Sequence, residues 1–204
     1  MQPHAGVALL AAMVVLSERV AAQEPGPAWA FNASAYLYAD ADPDFLLPVI
    51  TADRGALHLE GRYNYEDLET VSAWVGWTLE TGESVHLALT PMVGGTVGRT
   101  DGVAPGVELT LGWRSLELYS ESELLVPLDG QDAYLYTWTQ ATWSPLAWLS
   151  LGLSGQRLRA PESDLLIDRG PMATVQLGPV SLQAFFYNPC SDDAFTVLGA
   201  SIDF

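Results

Sequence analysis

From about residue 28 to the end, apolar and polar positions alternate in short segments separated by Gly, Pro and Asp. In ALHLEGRYNY (56–65), Leu57, Leu59, Gly61, Tyr63 and Tyr65 share one parity, and His58, Glu60, Arg62 and Asn64 share the other. Period-two alternation marks a strand whose two faces meet different surroundings. The pattern predicts strands at 28–39, 45–53, 56–66, 69–79, 84–97, 103–113, 115–126, 132–143, 147–157, 169–177, 179–188 and 194–204. No segment keeps a three-four apolar spacing, so helices are not expected. The weakest candidate is 45–53, which contains Pro48; without it the count falls to ten.

Segments of about ten residues suit tilted strands that cross a bilayer. Tight joins are expected at 53–55, 80–82, 114, 144–145 and 178–179. The joins between them are mostly longer or more polar: 39–44, 99–102, 127–132, 158–168 and 189–193, with only 67–68 short. Short turns on one side and longer loops on the other are the habit of transmembrane barrels.

The aromatic residues say which face looks out. With the apolar parity taken as outward, Trp29, Trp77, Trp113 and Trp143 all face out at the short-turn ends of their strands, joined by Phe204. Tyr63, Tyr65 and Phe186 face out at the opposite ends. A soluble sandwich has no reason to align aromatics at one level of its exterior, whereas a girdle at a lipid–water interface does. The expected fold is therefore all-β: a closed antiparallel transmembrane β-barrel of twelve strands, with ten as the alternative.

Composition narrows the choice. There are 25 acidic and 8 basic residues and a formal net charge of −17, the wrong sign for nucleic-acid binding. Disorder is excluded by 49% hydrophobic and 16% charged residues. A saline habitat would acidify a proteome in the same way. Residues 1–22 read as a signal peptide: GVALLAAMVVL is too short to span a bilayer, and Val20-Ala21-Ala22 offers small residues for cleavage. Residues 23–204 would then be the barrel domain. Cys190 has no partner for an internal disulfide.

The chain ends AFTVLGASIDF, with Leu198, Ala200, Ile202 and Phe204 on one parity. This resembles the bacterial outer-membrane β-barrels, whose last strand commonly ends in an aromatic residue after alternating apolar ones. The resemblance implies an outer-membrane location in a Gram-negative-type bacterium. It also implies recognition of Phe204 by the barrel-assembly machinery, and outer-membrane lipids as surroundings. In length and strand count the chain is similar to the small monomeric twelve-stranded porins that admit acidic oligosaccharides. Those have basic lumens and this sequence does not, so their substrate is not carried over.

The inward parity collects the chemistry: Glu60 and Arg62, then Glu108, then Glu117, Tyr119, Glu121 and Glu123, then Tyr136 and Gln140. Folding about Arg114 places Glu108 near Tyr119 or Glu121, with Gln140 beside Tyr119. Arg62 is the one arginine placed mid-strand on this parity. Neighbouring carboxylates repel, so water in a wide lumen, cations, raised pKa values or an arginine reaching across must offset them. Two readings stay open. One is a narrow, cation-favouring pore for small solutes; the other is a plugged barrel with a structural or surface-docking role, for which Asp164–Ile167 is the apolar loop patch. A lipid-acting enzyme is disfavoured. Its nucleophile needs a base within reach, and His58 and His86 both have inward parity, away from the outward Ser120, Ser122, Thr137 and Thr139. Pairing about 66–68 and 80–82 sets both histidines opposite Gly76 with no third ligand in view, so neither metal nor cofactor is expected.

Overall fold

The computed structural model describes residues 27–39, 44–159 and 166–204; the expected signal peptide at 1–22 lies outside the described residues. The strand segments are β1 (Ala30–Ala39), β2 (Phe45–Arg54), β3 (Leu57–Tyr63), β4 (Thr70–Trp77), β5 (Leu79–Thr81), β6 (Val85–Gly98) and β7 (Gly102–Trp113). They continue as β8 (Leu116–Pro127), β9 (Tyr134–Leu146), β10 (Leu149–Arg159), β11 (Leu166–Leu177), β12 (Val180–Tyr187) and β13 (Phe195–Asp203). β4 and β5 both pair with β6 and form one wall strand interrupted at Thr78, so thirteen segments make twelve strands.

Every strand is antiparallel to its neighbours, and the sheet closes on itself. β1 pairs with β13 from Asn32↔Asp203 to Ala39↔Thr196. At the seam, Phe31 N–H donates to the Phe204 carbonyl and Phe204 N–H to the Phe31 carbonyl, both at 3.0 Å. Closure leaves no unpaired edge, the condition for a sheet surrounded by hydrocarbon. β2 is a full strand despite Pro48, which pairs with Ala35, and this sets the ten-strand alternative aside.

The two faces are inverted relative to a soluble protein. In β4, Thr70, Ser72, Trp74 and Gly76 are buried while Val71, Ala73, Val75 and Trp77 are exposed. Large apolar side chains cover the outside, with Val97 70% and Leu153 65% exposed. The charged residues of β3 and β8 point into the barrel.

The connections at 55–56, 82–84, 114–115, 147–148 and 178–179 lie at one end, and those at 64–69, 99–101, 128–133 and 188–194 at the other. Three expectations need correction. Segment 56–66 stops at Tyr63, because Asn64 takes a left-handed conformation (φ 59°), which Asn tolerates. Its side-chain carbonyl accepts from Glu69 N–H at 2.7 Å, holding 64–69 as a real loop and removing the one exception to the short–long alternation. Second, β10 and β11 extend to Arg159 and from Leu166, so Leu166 and Ile167 belong to a strand; Asp164 and Leu165 lie outside the described residues. Third, the hairpin joining β5 to β6 turns at 82–84, with Gly82 at φ 95°. Gly76 therefore pairs with Met92, and His86 lies opposite Gly112.

Candidate functional site

The interior is divided. One arc, from β3, the 64–69 loop, β7 and β8, carries carboxylates about a single arginine. The guanidinium of Arg62 donates from Nη2 to Glu60 (2.8 Å) and from Nη1 to Glu123 (2.9 Å). It also makes ion pairs with Glu121 at 2.6 Å and Glu66 at 3.7 Å. None of the five side chains is more than 6% exposed. Buried ions persist only when paired and hydrogen-bonded, and a guanidinium fork can serve several carboxylates at once.

Aromatic rings hold the fork in place. The Arg62 guanidinium carbon lies 4.2 Å from the Tyr65 ring centroid and 4.7 Å from that of Trp74. Such contacts strengthen when desolvated. Trp74 can lie against the wall because the strands beneath it carry glycine. A Cβ at Gly94 would overlap its ring, and one at Gly106 would meet Trp74 Cζ3 at 3.0 Å. Gly94→Val is expected to lift Trp74, loosen Arg62 and cost about 1–3 kcal/mol, as overpacking does. The urea midpoint of the folded barrel in detergent reads that loss; an unchanged midpoint would show that Trp74 is not the support.

Further donors add to the network, although Arg62 Nε and Glu66 Oε2 are buried without a hydrogen-bond partner. Tyr65 O–H donates to Glu121 at 2.7 Å, Tyr119 O–H to Glu108 at 3.1 Å, and Ser72 O–H to Glu66 at 2.6 Å. The Trp74 indole N–H donates to Glu66 at 2.9 Å. Glu108 pairs with Glu121 in register, and Tyr119 with Gln140.

The structure places the other expected residues as follows. Glu117 is exposed near the short-turn mouth, and Tyr136 meets Tyr65 edge-to-face at 5.7 Å. Trp29, Trp77, Trp113, Trp143 and Phe204 are all exposed, with Phe31 stacked on both Trp29 and Phe204. Tyr63 is exposed too. Tyr65 is not part of an outer girdle: the left-handed Asn64 reverses the parity and sends its ring inward to Arg62. Trp148, in the turn after β9, is 52% exposed at the tryptophan end and was not anticipated.

The opposite arc is aromatic. Tyr38, Leu47, Trp138, Met172, Phe185, Tyr187 and Val197 form a buried cluster. Its polar atoms satisfy one another: Trp138 N–H donates to Ser154 (2.9 Å), Ser154 Oγ pairs with the Tyr187 hydroxyl (2.7 Å), and Gln156 donates to Tyr38 (2.8 Å). Period two in β10 puts Ser154 and Gln156 on one face, a signal present in the sequence but overlooked beside the acids. At the long-loop end a cavity of about 420 Å³ is lined by Tyr65, Glu66, Asp67, Tyr134, Tyr136 and Asp168, among others. It ends on the Arg62 cluster.

On the outside, Ser120 pairs with Thr139 (3.0 Å) and Ser122 with Thr137 (3.1 Å), so these hydroxyls satisfy each other across β8 and β9. His58, by contrast, is buried on the inner face, with ligand atoms of Glu60 and Glu108 nearby, all within 4.8 Å of one another.

Closed antiparallel walls, twelve strands and an inward polar face define a comparison class. The KdgM porin superposes with a TM-score of 0.61 at 8% identity, over 86% of this chain and 99% of that one. The same porin in complex with disordered oligogalacturonate superposes equally well, with a TM-score of 0.61 at 7% identity over the same shares. The fold is that of a twelve-stranded porin. The sequence matches no protein-family model and no curated protein. At such low identity the likeness carries the porin fold and not the lumen chemistry.

Proposed function

We propose that the protein is an outer-membrane porin-like barrel whose lumen, narrowed by the acidic cluster around Arg62, passes small cations in preference to anions. One observation carries this reading. Glu60, Glu66, Glu121 and Glu123 surround one guanidinium, with Glu108 adjoining through Tyr119, so this level of the interior has an excess of carboxylates. Oligogalacturonate, the ligand of the compared porin, is a polyanion and would be repelled there. The exposed apolar wall and its tryptophan level support a membrane setting.

Planar-bilayer recording across a salt gradient tests the function. The expected result is small unitary conductance with a reversal potential of cation sign. Anion selectivity would overturn the reading. Complete absence of channels would favour the plugged barrel, for which the water-shielded Arg62 cluster and the aromatic arc are the supporting observations.

Location and assembly have their own test. Phe204 joins the closing seam, the aromatic level and the terminal pattern in one residue. Its deletion is expected to reduce the heat-modifiable, folded form in outer-membrane fractions severalfold, whereas Glu117→Gln should not. Equal yields from both variants would remove Phe204 from any role in assembly.

A further inference from the structure

We propose that His58, Glu60 and Glu108 form a binding site for a divalent transition-metal ion of the zinc type on the inner wall, near the short-turn mouth. The argument starts from the imidazole. His58 Nδ1 lies 2.7 Å from Asp53 Oδ1, and the two residues face each other in the β2–β3 ladder. A carboxylate can only accept, so Nδ1 carries the proton and donates, and in the neutral ring Nε2 is left with its lone pair. That atom has no hydrogen-bond partner although the residue is only 7% exposed. Buried polar atoms without partners are rare, and this one lies 3.6 Å from a Glu60 carboxylate oxygen.

The spacing suits a metal better than a hydrogen bond. His58 Nε2 lies 3.6 Å from Glu60 Oε2, beyond ordinary hydrogen-bond length. Ligands at 2.0–2.2 Å on a tetrahedral centre stand roughly 3.3–3.6 Å apart, which fits that separation. Glu108 is the third ligand, and the ligand atoms of all three lie within 4.8 Å of one another. It comes from β7, with β4 and β6 between it and β3. The intervening wall carries no side chain at Gly76, opposite His58, where an added Cβ would come within 2.9 Å of Thr90 Cγ2.

The surroundings match the usual second layer of such sites. Asp53 orients the imidazole, Arg62 donates to Glu60, and Tyr119 donates to Glu108. The charge has the right sign, since the nearby carboxylates outnumber Arg62 and a dication reduces the imbalance. Access is available: the Asp53 side chain is 44% exposed. One nitrogen and two oxygens, with a fourth position for water, form a borderline donor set that zinc accepts.

The site is independent of whether the lumen conducts, and its test needs no conductance. Folded barrel in detergent micelles is titrated with zinc by equilibrium dialysis, and the His58 ring nitrogens are followed by NMR. The expected result is one zinc ion per chain, with the Nε2 resonance shifting and Nδ1 keeping its proton. His58→Gln and Glu108→Gln should each abolish stoichiometric binding, and Asp53→Asn should weaken it roughly 10–100-fold. His86→Gln should bind as the wild type does. No stoichiometric zinc, an unmoved Nε2 resonance, or binding lost only in His86→Gln would each overturn the proposal. The NMR reading is made on the wild-type barrel, so it stands even where a variant fails to fold.

Discussion

Arg62→Met is expected to unfold the barrel more readily than any single change to a lumen carboxylate. Arg62 is fully shielded from water, and none of the four acids that face it is more than 6% exposed. Removing one partner of a buried ion pair typically costs about 3–5 kcal/mol, because the other charge stays buried without compensation. Here several carboxylates are stranded at once. Arg62→Lys should fall between, since an ammonium cannot fork between Glu60, Glu121 and Glu123 or stack on Trp74. The physical cause is separable from general damage. Adding Glu60→Gln, Glu121→Gln and Glu123→Gln to Arg62→Met removes the stranded charges and should recover most of the loss, as neutral replacement of buried ion clusters often does. Urea titration of refolded barrel in lipid vesicles, read by heat-modifiability, measures both. A single variant within about 1 kcal/mol of wild type, or a compound variant no better than the single one, would show that the cluster does not hold the wall together.

How much of this was legible in the sequence follows from which physics is local. Alternation is local, so all twelve strands could be read, including 45–53 with its proline. Register between adjacent strands is nearly local where the turn is simple: the turn at Arg114 placed Glu108 near Tyr119 or Glu121, and the ladder selects Glu121. It failed at His86, because the turn expected at 80–82 lies at 82–84 and the whole ladder shifts with it. Tyr65 failed for a smaller reason: one left-handed residue reverses parity, and Asn64 is conspicuous only in hindsight. What no strand pattern could reveal is the reach of Arg62 to Glu121 and Glu123. β3 and β8 are separated along the wall by β4, β6 and β7, and only closure of the barrel brings the side chains together. The convergence of Glu108 on His58 has the same origin, over a wall left bare at Gly76.

Replacing Glu108, Glu121 and Glu123 together with Gln is expected to reduce cation preference while leaving the barrel folded. Each glutamine keeps the size of the glutamate and one carbonyl acceptor. Glu121→Gln retains an oxygen for Arg62 and offers an amide to the Tyr65 hydroxyl, which now donates to the carboxylate at 2.7 Å. Arg62 keeps Glu60 at 2.8 Å and Glu66 at 3.7 Å, so its charge stays compensated. Stability should therefore change little, or rise, because Glu108 and Glu121 face each other directly in the ladder and like charges so placed repel. Selectivity should change a great deal. The fixed charge lining a passage sets the local ratio of cations to anions, and low-dielectric walls focus its field. Raising ionic strength should mimic the substitution in the wild type, since the screening length falls from about 10 Å at 0.1 M to about 3 Å at 1 M. The measurement is the reversal potential across a fixed salt gradient, wild type beside triple variant, at low and high salt. A triple variant as cation-selective as wild type at low salt would place the selectivity elsewhere, at the exposed acids of the mouths, where Glu117 would be the next residue to replace.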